Sequence, residues 1–290
     1  MKVLITGCNG QVGHCLTERL AKQAEVLALD YAGLDITDRN AVLNTVAEFQ
    51  PHYIINAAAH TAVDRAEQEA ELSYAINRDG PSYLAQAAKE FGAVMLHIST
   101  DYVFDGSGDK PYKESDATGP QGVYGKSKLA GEQAVADSCS KHLILRTAWV
   151  FGEHGNNFVK TMLRLAQSRD ALSIVGDQFG GPTYAGDIAD ALISMVQHLE
   201  QGKHAKWGVY HFSGMPYASW FDFARAIFQA AEQHDVHAKH PKISAIPTSA
   251  YPTPAKRPGN SRLDCSKIEH EFGIKPSDWN AALNNIQAYK

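Results

Sequence analysis

The first half of the chain alternates short apolar runs with longer segments whose apolar residues recur at helical spacing. Lys2–Thr6 (KVLIT) and residues 25–30, 52–56, 93–99 and 142–147 are the strand candidates. Their Val, Ile and Leu content suits strands covered on both faces. Between them, residues 37–48 place Ala41, Val42, Thr45 and Val46 on one helical face, with Thr37 as the expected N-cap. Residues 71–91 are helical apart from Asp79-Gly80-Pro81, where proline should start a new helix or kink the old one. Residues 125–137 make a further helix. The alternation predicts an α/β fold with a doubly wound parallel sheet.

Beyond residue 150 the pattern loosens. Residues 157–167, 187–199 and 220–231 are expected helices, and 207–212 alternates like a strand. Residues 246–259, IPTSAYPTPAKRPG, carry four prolines, too many for a helix or a central strand. Only a short helical tail follows, so a rigid loop over a binding cleft fits better than an interdomain linker. The expected division is 1–150 for a Rossmann-type domain and 151–290 for a smaller, mainly ligand-binding region. The helices between 157 and 199 are expected to pack back on the sheet.

Composition narrows the function. The 290 residues are 44% hydrophobic and 20% charged, and the net charge is −5. This is an ordinary globular composition without the basic field that attracts phosphate backbones, so no nucleic-acid partner is expected. No apolar run is long enough for a membrane span, and the N-terminus lacks a secretory core and cleavage site. A cytoplasmic location follows as the expectation. The four cysteines, Cys8, Cys15, Cys139 and Cys265, are scattered and form no C-x-x-C pair. The thirteen histidines form no H-E-x-x-H motif or local cluster with carboxylates, so the sequence offers no local metal site.

Candidate chemistry begins at Gly7-Cys8-Asn9-Gly10-Gln11-Val12-Gly13, between the first strand and a helix. In that context a G-x-x-G-x-x-G spacing is a dinucleotide signal. The glycines allow a sharp turn, and the N–H groups at the helix start can meet a pyrophosphate. Asp30, ending the next strand, is placed to accept from the adenosine ribose hydroxyls. Asp35 and Ile36 suit an adenine edge and face. The small residues of Asn56-Ala57-Ala58-Ala59-His60-Thr61 would let a cofactor lie against the backbone. Ile98, near the end of the fourth strand, completes the cofactor candidates.

Tyr124 and Lys128 form a Y-x-x-x-K pair, four residues apart and so on one helix face. A nearby lysine and a cationic nicotinamide would both draw a tyrosine pKa down toward the working range. Ser99 or Thr100, at the end of the fourth strand, can hydrogen-bond a substrate carbonyl oxygen. A hydroxyl, a tyrosine and a lysine on a dinucleotide fold describe hydride transfer to or from a carbonyl.

The segments GCNGQVG, NAAAHTAVD, STDYVFDG, VYGKSKLAGE and RTAWVFG together resemble the extended short-chain dehydrogenase/reductase superfamily. Within it, NNFVKTMLRLA and IPTSAYPTPAKRPGNSRL extend a similarity to the dTDP-4-dehydrorhamnose reductase family almost to the C-terminus. The resemblance implies NADPH- or NADH-dependent reduction of the 4-keto group of dTDP-4-dehydro-6-deoxy-L-mannose, the last step of dTDP-L-rhamnose formation. It implies Tyr124 as proton donor, Lys128 on the nicotinamide ribose and Thr100 as the catalytic hydroxyl. Cofactor contacts would fall on Gly10, Gln11, Val12, Asp30, Asp35, Ile36, Ala59, His60 and Thr61. The dTDP-sugar would meet Thr100, Asp101, Tyr102 and Trp149, with Arg257 or Arg262 on its pyrophosphate. Some members of the family are magnesium-linked dimers with glutamate ligands. The matching positions here are Cys15 and Gly186, so no metal is expected, Asp187 being the nearest substitute; a monomer or homodimer is equally compatible. Two rival readings remain. A nucleotide-sugar dehydratase or epimerase is one, although Thr100-Asp101-Tyr102 lacks the carboxylate base of a Thr-Asp-Glu dehydratase. The other is a non-catalytic regulatory subunit, against which the retained Thr100, Tyr124 and Lys128 argue.

Overall fold

In the computed structural model, residues 1–236 and 241–289 are described. The chain runs β1 (Lys2–Thr6), α1 (Gln11–Leu20), β2 (Glu25–Leu29), α2 (Arg39–Phe49), β3 (Tyr53–Asn56), α3 (Val63–Ala66) and α4 (Ala70–Tyr74). A single π-helical turn, Ala75–Asp79, joins α4 to α5 (Gly80–Phe91). There follow β4 (Val94–Thr100), α6 (Val123–Ser138), β5 (His142–Thr147), α7 (Phe158–Ser168), β6 (Ala171–Val175), α8 (Ala185–Glu200), β7 (Gly208–His211), α9 (Trp220–Gln233) and β8 (Lys242–Ile246).

The main sheet has six strands in the order β7-β5-β4-β3-β1-β2, every neighbouring pair parallel. From β1 the chain moves outward to β2 and then returns to β3 on the other side. The carboxyl ends of β1 and β3 therefore flank a topological switch point, where open α/β sheets bind ligands. Strand alternation divides the core. Val3 and Ile5 face α1 and α8 through Leu16, Leu20, Ile188, Leu192 and Val196. Leu4 and Ile54 face α2 and α5 through Val42, Val46, Leu84 and Ala88.

Of three expectations, the first and third change and the second, a new helix begun by Pro81, is met. The α2 cap is Asp38, whose carboxylate accepts from the N–H groups of Asn40 and Ala41, because Thr37 is itself held by Asp35. The Asp79-Gly80-Pro81 break is a π-helical turn, with Pro81 in the first turn of α5, where its missing N–H costs nothing. The third concerns the two halves. α8 does pack on the sheet, and β7 extends the sheet at its edge, so residues well past 150 complete the Rossmann layer. α7 does not pack there. Its apolar face (Val159, Met162, Leu163) joins Phe151, Phe223 and Ile227 of a second core shared with α9, Trp279 and Ile286. The proline-rich stretch begins in β8, which pairs with β6, and continues through a 3-10 turn (Thr248–Ala250) and irregular chain to Asn260. No helix among the described residues is long and apolar enough to cross a membrane.

Candidate active site

The glycine loop turns at the end of β1, with the Gly7 and Cys8 N–H groups donating to the Leu29 carbonyl at 2.8 and 3.2 Å. Gly7 has φ +74, a conformation side chains resist, and a Cβ there would lie 2.6 Å from the Ala58 nitrogen. A Cβ on Gly13 would collide with the Gly7 carbonyl oxygen. These two positions let loop, helix and the 57–61 segment close up. Gly10 is the N-cap of the ten-residue α1; no side chain caps that end, and its first turn holds no acid. Those N–H groups fit a dinucleotide pyrophosphate.

Asp30 stands at the rim. Its Oδ2 accepts from Asn9 Nδ2 at 2.7 Å and its Oδ1 from the Gly33 N–H at 3.0 Å. The neighbouring pair is less available, since Asp35 Oδ1 accepts from both the N–H and hydroxyl of Thr37, and Ile36 is buried in the core against Gly80. On the other side, the 59–61 segment is fixed by a residue that sequence reasoning missed. Asn77, fully buried in the π-helical turn, accepts from the His60 N–H at 2.8 Å and donates to the His60 carbonyl and to Ser127 Oγ. A lone asparagine in a helical run gives no signal, yet this one joins Ala59-His60-Thr61 to the helix that carries the tyrosine and lysine.

Tyr124 lies in the first turn of α6, beside Thr100 and edge-on to the Tyr102 ring at 5.4 Å. Lys128 makes its hydrogen bonds away from the phenol. Its Nζ donates to the Ile98 carbonyl at 2.7 Å and lies 3.4 Å from His97 Nε2. Burial pushes the Tyr124 phenol up to about 12. Burial also brings Lys128 down to about 8, opposed by Glu132. Asp101 is buried and raised to about 6, burial outweighing the opposing influence of Ser261 and of the hydrogen bond from Thr100 Oγ1 to its Oδ1 at 3.0 Å.

The hydrogen bonds around His97 fix its tautomer. Asn56 Oδ1 accepts from the Ala58 N–H and the Thr6 hydroxyl, so its amide Nδ2 must face His97 Nδ1, at 3.0 Å. Nδ1 then accepts, and the ring proton sits on Nε2, toward Lys128. An N–H pointed at an amine favours the neutral amine, the same direction as burial.

A cavity of about 610 Å³ opens beside these groups, lined in part by Tyr102, Trp149, Phe158, Trp220, Arg257 and Ser261. Trp149 has φ +48 and stacks on Trp220 at 3.6 Å, within 10° of parallel. Held backbone strain of this kind concentrates at binding sites. The proline-rich stretch contributes Tyr251, Thr253 and Pro258 to the same wall. Arg257 Nη2 pairs with Asp64 Oδ2 at 2.7 Å, while its Nη1 is buried without a hydrogen-bond partner; Ser261 and Asp101, also short of close partners, neighbour each other. Such orphans are costly unless a ligand satisfies them. Arg262 is spent elsewhere, donating to Asn260 Oδ1 and to the Asp109 carbonyl, and it does not line the cavity. Of the two arginines, only Arg257 lines the cavity.

At the positions considered for a metal, Cys15 is buried with its thiol pushed up to about 11, and Asp187 accepts from Ser277 at 2.6 Å. Arg19 reaches the Gly186 carbonyl and pairs with Asp190. The fold does bring His154 against His14 and Glu18, a grouping that no local spacing reveals.

A family model described as the RmlD substrate binding domain matches residues 1–289. The dTDP-4-dehydrorhamnose reductase of Aggregatibacter actinomycetemcomitans is 52% identical over 290 residues, covering 99% of each chain. The crystal structure of a dTDP-4-dehydrorhamnose reductase from Clostridium acetobutylicum superposes with a TM-score of 0.92 at 40% identity, over 99% of this chain and 98% of that one. The Bacillus anthracis enzyme, solved in complex with NADP, gives a TM-score of 0.90 at 38% identity over 98% of each chain.

Proposed function

The chain belongs to the dTDP-4-dehydrorhamnose reductase family, and on that premise we propose that it reduces the 4-keto group of dTDP-4-dehydro-6-deoxy-L-mannose to dTDP-L-rhamnose, using NADH or NADPH. One observation carries the assignment of residues. The Thr100 hydroxyl and the Tyr124 phenol lie together at the ligand-binding edge of the sheet, next to a cavity lined by Arg257, whose Nη1 is buried and unpaired.

The dinucleotide would rest its pyrophosphate on the α1 N-terminus, its ribose hydroxyls on Asp30 and its nicotinamide ribose on Lys128. When bound, it supplies the hydride. Thr100 holds the carbonyl oxygen and stabilises the charge that grows there. Tyr124 gives its proton to the forming alkoxide, a far stronger base than phenolate. A phenol raised to about 12 keeps its proton at neutral pH, which is the form reduction requires. Trp149 and Trp220 offer an aromatic wall for the nucleotide base, and Arg257 meets the pyrophosphate with the guanidinium nitrogen left unpaired.

The test is NADH consumption with the keto-sugar nucleotide and identification of the product by NMR. Stoichiometric dTDP-L-rhamnose supports the reading. An epimerised or dehydrated product, or no consumption, refutes it.

A further inference from the structure

We propose that His14, Glu18 and His154 form a site for one zinc-class divalent transition cation, which staples the 152–155 loop to the start of α1. His14 and Glu18 lie four residues apart on α1 and so share a face, with His14 Nε2 3.4 Å from Glu18 Oε1. His154 arrives from the loop that precedes α7, its ring centroid 3.5 Å from that of His14. One ligand atom from each of the three lies within 4.8 Å of the others. Bonds of roughly 2.0–2.2 Å in a tetrahedral site put ligand atoms about 3.3–3.5 Å apart. The His14–Glu18 pair already has that spacing, and His154 completes it by turning out of its ring contact with His14.

The donor set selects the ion. Two imidazoles and one carboxylate suit zinc, cobalt, nickel or copper rather than magnesium or calcium, and a fourth position stays open to water. All three side chains reach solvent, so an ion can enter. Neighbouring charges are already committed: Arg19 turns to the Gly186 carbonyl and Asp190, and Glu153 accepts from Tyr184 Oη at 2.9 and 3.1 Å.

The site also has mechanical leverage. In the same stretch, Asn157 Nδ2 donates to both the Gly152 carbonyl and Gln11 Oε1, at 2.7 and 3.1 Å. A Cβ on Gly155 would lie 3.2 Å from Gln11 Cγ. Gln11 is the first residue of α1, in the glycine loop. A cation bridging α1 and His154 therefore holds this stretch down over the dinucleotide loop and slows cofactor exchange. None of the three ligands belongs to the proposed catalytic set, so turnover persists in chelator-treated buffer.

Zinc chloride is titrated into chelator-stripped protein by calorimetry, cobalt(II) absorption reports the geometry, and NADH release is followed by fluorescence. The expected result is one site of micromolar or tighter affinity with a tetrahedral cobalt spectrum. Affinity should fall at least tenfold in His154→Ala and in Glu18→Gln, and zinc should slow NADH release severalfold in the wild type only. His154→Ala changes a surface loop, and its unchanged turnover without metal checks that it folds. Wild-type zinc affinity in His154→Ala, or no zinc binding at micromolar concentration, overturns the site. Unchanged NADH release at saturating zinc overturns the staple.

Discussion

Lys128 Nζ faces the protonated Nε2 of His97 at 3.4 Å. The backbone N–H of Ala58 orients Asn56, Asn56 orients His97, and His97 presents a proton to the lysine. Burial holds Lys128 near 8, against the pull of Glu132. Below that pH the amine is charged and attracts the anionic dinucleotide; above it the charge is lost. The value of kcat/KM for NADH, which reports the free enzyme, should therefore fall as pH rises through about 8. His97→Gln offers the lysine a carbonyl acceptor, so the basic limb should move to higher pH. A pH profile in His97→Gln that overlays the wild type would show that the tautomer has no influence on Lys128.

Arg257 is held by Asp64 with one guanidinium nitrogen buried and unpaired. If that nitrogen meets the substrate pyrophosphate, Arg257→Ala should raise KM for the sugar nucleotide and leave kcat nearly unchanged. A charged hydrogen bond is worth about 1.5–3 kcal/mol, so the increase should be roughly 10- to 100-fold. Equal losses in kcat and kcat/KM would place Arg257 in the chemistry instead.

Asp30 bears on cofactor choice. Its carboxylate can accept from a 2′-hydroxyl but repels a 2′-phosphate, and Tyr31-Ala32-Gly33 after it supply no cation. NADH should therefore serve at least as well as NADPH, and Asp30→Ser should shift the ratio toward NADPH. A tenfold or greater preference of the wild type for NADPH, about 1.4 kcal/mol, would mean that another residue sets the choice.

Glu132 and Arg146 form a doubly hydrogen-bonded pair at 2.7 and 2.9 Å, both almost inaccessible, and Ser99 donates to the same carboxylate at 2.5 Å. Breaking a buried pair leaves one charge uncompensated, so Glu132→Gln should cost about 3–5 kcal/mol of stability by urea denaturation. A loss below about 1 kcal/mol would show that the amide substitutes freely for the carboxylate.

Much of this site is legible in the residues themselves because parallel strands buried on both faces read as apolar runs, and because the glycine loop and Y-x-x-x-K carry their own spacing. Thr100 could be found from its place at a strand end. Asn77, His97 and Glu132 could not: each is a polar residue on a regular element, and its role exists only through partners from other elements. α7 looked like α8 by amphipathic pattern, since periodicity says that a helix has an apolar face but not which layer receives it. Arg262 shows the same limit, for its partners Asn260 and Asp109 decide its direction.

The central claim is that the Tyr124 phenol delivers the proton to the reduced carbonyl. Single-turnover oxidation of bound NADH by the keto-sugar nucleotide tests it most directly, comparing the wild type with Tyr124→Phe. The ring is kept, so cofactor affinity should be unchanged, while the rate should fall by roughly 10²–10⁴-fold, the usual worth of general acid catalysis. A Tyr124→Phe rate close to wild type would assign the proton to another group.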